Sequence, residues 1–408
     1  MKHRALIILS SLAALFGCKT KVVVKGIFGG DVAFLNKHTD TIVLTDETDS
    51  AMIVLSAAYQ GRVMTSTANG VKGASFGWIN YDLIASGQFQ EHINVFGGED
   101  RFWLGPEGGQ YSIFFGKDAP FDMEHWFTPA VIDTEPFEVV SKSARQVTFT
   151  KSAKLTNYSG TVLSFRMDRK VSLLSRTIAG EKLGLALPDA VSVVAYESDN
   201  KITNTGEKAW QKETGLLSIW ILGMFKPSPK TTIVIPFKAG SDDELGPKVN
   251  DSYFGKVPAE RLVVEDDVMF FRGDGRYRSK VGINPQRAKD IAGSYDAAGK
   301  VLTLIQYTKG VGVTDYVNSM WELQEKPYAG DVVNSYNDGP AVPGEKPLGP
   351  FYELESSSPA AELKPAESIS HVHRTFHLQG SEAQLDAIAQ KTLGVGITKI
   401  KSSLKKCS

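Results

Sequence analysis

The stretch that decides the fold runs from residue 157 to residue 174 and reads NYSGTVLSFRMDRKVSLL. It opens with turn-forming asparagine, serine and glycine. Apolar residues then recur at every second position from Leu163 to Leu173, with Arg169 as the exception. A period of two places alternate side chains on opposite faces of a β-strand. The stretch therefore predicts a tight turn followed by a long strand.

Similar runs follow one another along most of the chain, and turn sequences such as Asn69-Gly70 and Asp338-Gly339-Pro340 separate them. The predicted strands are 51–57, 62–67, 110–115, 137–150, 161–174, 191–197, 216–222, 231–237, 301–307 and 369–378. The 38 glycines, 21 phenylalanines and 13 tyrosines are typical of many strands joined by tight turns. No linker or fixed-period repeat divides the series, so we expect one all-β domain over residues 31–380.

One helix is predicted near the C-terminus, because Ser381 and Gln384 form a capping-box pattern and Gly394 provides a stop. Its apolar stripe consists of Leu385, Ile388, Ala389 and Leu393. We expect this helix to pack over a sheet edge and the basic tail after it to be solvated, so that residues 381–408 form a C-terminal helix and tail. Residues 334–350 are rich in glycine, proline and asparagine and predict a long ordered loop.

The first eighteen residues predict export. A basic start at residues 2–4 precedes the apolar run 5–16, which is shorter than the roughly 20 residues that span a bilayer. Leu15-Phe16-Gly17-Cys18 resembles the lipobox of bacterial lipoproteins, in which the cysteine is lipidated. We therefore expect a signal peptide over residues 1–17, a lipidated N-terminus and tether over residues 18–30, and a membrane anchor on Cys18. This places the protein in the bacterial cell envelope, on a periplasmic or outer-membrane face.

Charge and composition exclude several function classes. The formal net charge is −1, and removal of the basic leader makes the mature chain more acidic, which argues against a nucleic-acid partner. With Cys18 lipidated, Cys407 has no partner for a disulfide, so stability must come from packing. The phosphate-binding loop, the nucleophile elbow and the His-Glu-x-x-His motif are absent, and we expect no cofactor.

The densest candidate site is GGEDRFWLGPEGGQ, residues 97–110. If this segment is extended, Arg101 and Trp103 share one face of the strand. An indole beside a guanidinium and a carboxylate such as Glu107 is a common way to hold a sugar ring. The alternative is a structural role, with Trp103 in the core and Arg101 paired with Glu99 or Glu107 in a structural network.

A second candidate site combines two late segments, FYELES and ISHVHRTFHL. Alternation places Glu353 and Glu355 on one side of the first, and His371, His373 and His377 on one side of the second. If the two strands are neighbours, carboxylates and imidazoles share a surface, as general acid–base catalysis near neutral pH requires.

Two other interpretations of the histidines remain open. The His-x-His pair could bind zinc or a similar ion, with His377 or a carboxylate as a further ligand. The histidines could also be polar side chains on a solvated sheet face. The oxygen-rich residues 334–339 lack the spacing and closing glutamate of an EF-hand and predict an ordinary turn.

The order of these motifs resembles a known family. The motifs are QGRVMTS at 60–66, Gly97-Gly98, Arg101-Phe102-Trp103, Pro106-Glu107, Asn204-Thr205-Gly206, Glu353 and LKPAES at 363–368. Over roughly residues 50–380 the chain is similar to the lipoprotein branch of the galactose-mutarotase-like (aldose-1-epimerase-like) super-sandwich proteins. The resemblance implies two large antiparallel sheets packed face to face, one of them concave and sugar-binding.

In aldose epimerases of this kind a glutamate takes the proton from the anomeric hydroxyl and a histidine protonates the ring oxygen. The resemblance implies that Glu353 or Glu355 is the base and that His371, His373 or His92 is the acid.

Three functions follow as hypotheses. The first is an epimerase- or lyase-like enzyme of the cell envelope, in which a saccharide contacts Arg101, Trp103, Glu107, His92 and His377. The second is a lipoprotein that binds a glycan without catalysis. The third is a metal-dependent enzyme with a His-x-His site.

Overall fold

The computed structural model describes residues 24–404 except residues 49 and 343. The predicted signal peptide, the predicted lipidation site Cys18 and the end of the basic tail lie outside the described residues. No helix in the described ranges is both long enough and apolar enough to cross a membrane.

Strands make up most of the regular structure. They are β1 (Thr41–Thr45), β2 (Met52–Ser56), β3 (Arg62–Thr67), β4 (Arg101–Gly105), β5 (Glu138–Lys142), β6 (Gln146–Thr156), β7 (Val162–Leu173), β8 (Ser192–Asn204), β9 (Ser218–Phe225), β10 (Thr231–Pro236), β11 (Leu262–Val264), β12 (Val268–Arg272), β13 (Ser279–Ile283), β14 (Ile291–Asp296), β15 (Val301–Tyr307), β16 (Val333–Asn337), β17 (Tyr352–Ser357) and β18 (Ser368–Gln379). The helices are α1 (Phe28–Leu35), α2 (Tyr81–Ser86), α3 (Ala130–Asp133), α4 (Arg176–Leu183), α5 (Asp242–Leu245), α6 (Glu382–Leu393) and α7 (Ile397–Ser403), with a 3₁₀ turn at Gly70–Lys72.

The strands form three antiparallel sheets. The largest has ten strands in the order β11-β12-β10-β14-β15-β18-β8-β7-β6-β5. The second has five strands in the order β13-β16-β17-β9-β4, and β1, β2 and β3 form a small third sheet. Apolar side chains of the two larger sheets meet in shared clusters, for example Phe165 with Ile221 and Ile305 with Leu354. The protein is therefore an all-β two-sheet sandwich, which confirms the predicted fold class.

Alternation along the strands accounts for this packing. In β7 the residues at odd positions from Leu163 to Leu173 are buried, whereas those at even positions are partly or fully exposed. The pattern places one face of the strand in the core, as residues 157–174 predicted. The preceding turn is closed by Asn157, whose side chain accepts a hydrogen bond from the Thr161 N–H.

Three predicted segments differ from the structure. Residues 137–150 form β5 and the start of β6, because the turn around Ser143 reverses the chain. Residues 110–115 are not a strand, because the Ser112 hydroxyl accepts hydrogen bonds from the N–H groups of Phe114 and Phe115 and holds a turn. Residues 334–337, expected in a loop, belong to β16, whose neighbours β13 and β17 supply its backbone partners.

The C-terminal helix is confirmed. Ser381 caps α6 with a capping box, and Gly394 ends it in the left-handed conformation. The helix covers the outer face at β10 and β14, which are interior strands, so the prediction that it lies over a sheet edge is wrong. The predicted solvated tail is also partly wrong, because residues 397–403 form α7, which contacts β10 and buries Ile400.

At the N-terminal end, ordered structure begins before the boundary expected at residue 31. Helix α1 starts at Phe28, and the side chains of Phe28 and Leu35 are buried against Val54 of the small sheet.

Charged groups buried between the two large sheets fix the position of one sheet relative to the other. The Asp100 carboxylate lies 2.6 Å from the Arg169 guanidinium, and neither side chain is exposed. Ser198 donates a hydrogen bond to the second Asp100 oxygen, and Arg169 also donates to Asn200. Asp100 directly precedes β4 of the five-stranded sheet, whereas the other three residues belong to the ten-stranded sheet. A buried ion pair of this kind is stable only when both partners are present.

We expect Arg169→Met to lower the free energy of unfolding by about 3–5 kcal/mol, because it leaves the Asp100 carboxylate buried without its partner. Arg166→Met, on the exposed side of the same strand, removes a solvated ion pair with Asp168 and should cost at most about 1 kcal/mol. Urea denaturation of both variants measures the difference, and equal losses would contradict the proposed role of the buried pair.

Candidate functional site

The outer face of the five-stranded sheet forms the floor of a cavity. Alternation sends Phe102 and Leu354 into the core between the sheets and turns Arg101, Trp103 and Glu353 outward. The other floor residues, from neighbouring strands, are Trp220, Leu222, Met224, Lys280 and Tyr336. Five strands thus bring residues that are far apart in the sequence onto one surface.

Loops form the walls of this cavity, which has a volume of about 110 Å³. The wall residues are Ile93, Val95, Glu107, Met123, Trp126, Phe254, Arg278, Trp321, Leu348 and Phe351. The volume is below the roughly 300 Å³ at which sites for drug-sized ligands begin, so the cavity suits a single small unit. Four indoles, three cationic groups and two carboxyl groups line it.

Arg101 and Glu353 form a buried ion pair on the cavity floor, with 2.5 Å between guanidinium nitrogen and carboxylate oxygen. The Arg101 guanidinium also lies 4.7 Å from the centroid of the Trp103 indole. The predicted shared face of Arg101 and Trp103 is therefore present. The structural alternative is correct in one respect, since Trp103 also packs against core residues, but the partner of Arg101 is Glu353 rather than Glu99 or Glu107.

Lys280 and Glu355 form a second buried ion pair beside the first. The Lys280 ammonium lies 2.9 Å from the Glu355 Oε2 atom, which also accepts a hydrogen bond from the Trp220 indole N–H. Burial alone would lower the pKa of Lys280, but Glu355 and Glu107 outweigh it and the pKa is raised. Lys280 is therefore a fixed positive charge in the cavity.

Burial raises the pKa of Glu353 to about 7, and the negative charge of Glu355 adds to this effect. Arg101 and Lys280 act in the opposite direction without cancelling it. Burial likewise raises the pKa of Glu107, although Lys280 and the Trp321 indole N–H, which donates to Glu107, oppose the shift. The cavity thus contains Glu353, which can carry a proton near neutral pH, and a second carboxyl group, Glu107, whose pKa burial shifts in the same direction.

Several groups around the cavity have unused hydrogen-bonding capacity. Among the described residues, no partner exists for Arg101 Nε, Trp103 Nε1, Trp126 Nε1 or Glu355 Oε1, all of which are buried. A buried polar group without a partner costs about 1–3 kcal/mol. A polar ligand in the cavity could pair with groups of this kind.

The expectation that the late carboxylates and histidines share a surface is wrong. The strand β17 belongs to the five-stranded sheet, whereas β18 belongs to the ten-stranded sheet. Glu353 and Glu355 face outward from β17, whereas His371 and His373 are buried between the sheets. Both imidazoles contact the hydroxyl of Ser356, on the inner face of β17, at 2.8 Å.

The other two histidines predicted to belong to the site, His377 and His92, also lie apart from the cavity. His377 is buried, with its Nε2 atom 3.1 Å from Glu99 and its ring stacked on Phe76. His92 is partly buried, contacts the Trp126 carbonyl through Nδ1 and stacks on Phe127. Neither His92 nor His377 lines the cavity, although His92 is one residue from Ile93, which does.

Comparison with known proteins identifies a family. Residues 26–404 match the model of a family of unknown function, DUF6786. The chain belongs to this family. The comparison with curated proteins found no match.

Solved structures that match most of the chain include the following three. The Slr1438 protein of Synechocystis sp. PCC 6803 matches with a TM-score of 0.49 and 13% identity, over 84% of this chain and 96% of that one. A galactose mutarotase-like protein of Lactobacillus casei ATCC 334 matches with a TM-score of 0.44 and 12% identity, over 83% of this chain and 99% of that one. A galactose mutarotase related enzyme of Lactobacillus acidophilus matches with a TM-score of 0.42 and 9% identity, over 83% of this chain and 97% of that one. These identities and TM-scores do not indicate what the protein does.

In this DUF6786 protein the metal hypothesis has little geometric support. Within residues 24–404, apart from the two positions not described, no group of three or more His, Cys, Asp and Glu side chains is arranged to hold a metal ion. The imidazoles of His371 and His373 both contact the Ser356 hydroxyl, and no carboxylate or third imidazole joins them as a metal ligand among the described residues.

Sequence reasoning missed several cavity residues, including Lys280, Arg278, Trp126 and Trp321. Each lies in a short strand or loop without a motif, and only the pairing of β13, β16 and β17 brings Lys280 to Glu355. Trp220 could have been found, because it alternates with Ser218 and Leu222 in the predicted strand 216–222.

The buried histidines predict a loss of stability in acid. Burial lowers the pKa of His371 to about 3 and that of His373 to about 4. Below pH 6.5 the unfolded chain binds protons that the folded protein does not, so stability falls as the pH decreases toward 4, by up to about 1.4 kcal/mol per pH unit for each histidine. We expect His371→Asn to flatten this dependence in urea denaturation between pH 4 and 7.

His38→Asn is the matched control, because His38 is exposed. It should leave the pH dependence of unfolding as in the unmodified protein. An unchanged slope in His371→Asn would contradict the assignment of a buried neutral imidazole.

Proposed function

We propose that this protein binds a saccharide in the cavity on the five-stranded sheet and acts on it by acid–base chemistry, while a lipid on Cys18 anchors it in the cell envelope. The observation that supports this most is that four tryptophans and the Arg101–Glu353 ion pair line one small cavity, with the Lys280–Glu355 pair beside it. Indole faces pack on the apolar face of a sugar ring, and charged groups bind its hydroxyls. The similar fold of galactose mutarotase-like proteins is compatible with this proposal.

Glu353 is the proposed base. Its pKa of about 7 means that a carboxylate and a carboxylic acid are both accessible near neutral pH, and Arg101 fixes its position. A base of this kind can remove a proton from the anomeric hydroxyl, as in an epimerase, or from a sugar carbon, as in a lyase. Glu107 replaces the histidines as the proposed acid, because it lines the same cavity and burial raises its pKa.

Binding can be tested on the soluble form, residues 19–408, with a panel of mono- and oligosaccharides. We expect Trp220→Phe to weaken saccharide binding by about tenfold, since the smaller ring stacks less well and loses the N–H that holds Glu355. Calorimetric titration measures the affinity. Trp210→Phe is the control, because Trp210 is buried outside the cavity, and equal effects of the two substitutions would place the ligand elsewhere.

Catalysis is tested with Glu353→Gln. We expect loss of turnover with affinity within a few-fold of the unmodified protein, because the amide keeps the shape but cannot take a proton. In the unmodified protein kcat/KM should rise as the pH increases through about 7, since the active form of Glu353 is the carboxylate. Anomer exchange followed by NMR and unsaturated products followed by absorbance distinguish the two reactions.

Saccharide binding without any turnover would favour the second hypothesis, a glycan-binding lipoprotein. The ion pair of Glu353 with Arg101 would then serve recognition alone. Radiolabelled fatty acid incorporation, lost in Cys18→Ser, tests the membrane anchor independently.

A further inference from the structure

Of the three cationic groups that line the cavity, Arg278 differs from Arg101 and Lys280 in its lack of an ion-pair partner within the described ranges. Arg101 and Lys280 each meet a glutamate within ion-pair distance. For Arg278 no carboxylate lies within that distance among the described residues, and its side chain is only partly buried. Arg278 therefore has no ion-pair partner among the described residues.

The position of Arg278 is nevertheless fixed. It directly precedes β13, and its guanidinium carbon lies 3.9 Å from the centroid of the Phe254 ring. Stacking on an aromatic ring holds the guanidinium through its face and leaves the N–H groups at its edge available. Arg278 thus has the arrangement of a group that binds an anion from a ligand.

Charge balance in the cavity limits what the anion can be. Glu353 and Glu355 are already paired, and Arg278 and Lys280 both act electrostatically on Glu107. When Glu107 holds its proton, as the proposed acid does, three cationic groups face two carboxylates, and a single negative charge on the ligand would match the unpaired guanidinium. A doubly charged group would be repelled by the same carboxylates.

We propose that the cavity selects a saccharide unit with one carboxylate, such as a hexuronic acid residue, and that Arg278 is the residue that determines this specificity. A planar carboxylate accepts two parallel hydrogen bonds from a guanidinium edge. This inference rests on the proposed function, because it names the class of saccharide that the same cavity binds.

The test compares hexuronic acids, the matching neutral hexoses and hexose 6-phosphates, as monosaccharides and short oligomers, by calorimetric titration of the soluble form. We expect the hexuronates to bind at least about tenfold more tightly than the hexoses, and this advantage to disappear in Arg278→Met. Arg278→Lys should keep part of it, since the charge remains without the planar fork. Arg276→Met is the matched control, because Arg276 is exposed and does not line the cavity.

The possible results distinguish failure of the inference from failure of the proposed function. Equal affinities for hexuronates and hexoses would overturn the inference and leave the proposed function standing. Tighter binding of the hexose 6-phosphates would overturn the single-carboxylate assignment. An advantage of hexuronates that survives in Arg278→Met would remove the role of Arg278. Failure of every saccharide to bind would overturn the proposed function itself.

Discussion

The ion pair between Asp100 and Arg169 joins the two large sheets through charges that have no contact with solvent. Each charge is tolerated in the interior only because the other is present, so the pair fixes the position of the chain at residue 100. The next residue, Arg101, points to the opposite face of its strand and meets Glu353 on the cavity floor. The preceding residue, Glu99, meets His377, Ser66 and Tyr196 in the interior. The buried charges of Asp100 and Arg169 therefore determine where the Arg101 guanidinium lies on the cavity floor.

The two outward carboxylates of β17 differ in their partners. Glu355 accepts hydrogen bonds from Lys280 and Trp220, whereas Glu353 has Arg101 as its charged partner. Burial together with the nearby charge of Glu355 therefore keeps the pKa of Glu353 high despite the ion pair. The same strand thus supplies one carboxylate that holds the lysine and another that can exchange a proton.

The sequence predicted what depends on local pattern. Alternation in residues 157–174 and the capping residues of α6 have local causes, and both predictions hold. Alternation also predicted that Glu353 and Glu355 face the same way. It could not show that His371 belongs to the other sheet, because strand order is set by contacts between distant segments. A row of histidines suggests an exposed polar face, yet here the opposite face of β18 carries Phe376 and Leu378 under the C-terminal helices, so the histidines lie inside.

The buried histidines still bear on the cavity, through the back of β17. The Ser356 hydroxyl touches both His371 and His373, and it has a single proton to donate. It must therefore donate to one imidazole and accept from the other, which requires each ring to present the correct neutral tautomer. Both pKa values are lowered by burial, so the neutral forms persist at ordinary pH. Because Ser356 is next to Glu355 in the chain, this hydrogen-bonded unit holds β17 from the inside, while Glu353 on the outer face of the same strand lines the cavity. The histidines that the sequence suggested as catalysts are thus better placed to position the strand than to move protons on a ligand.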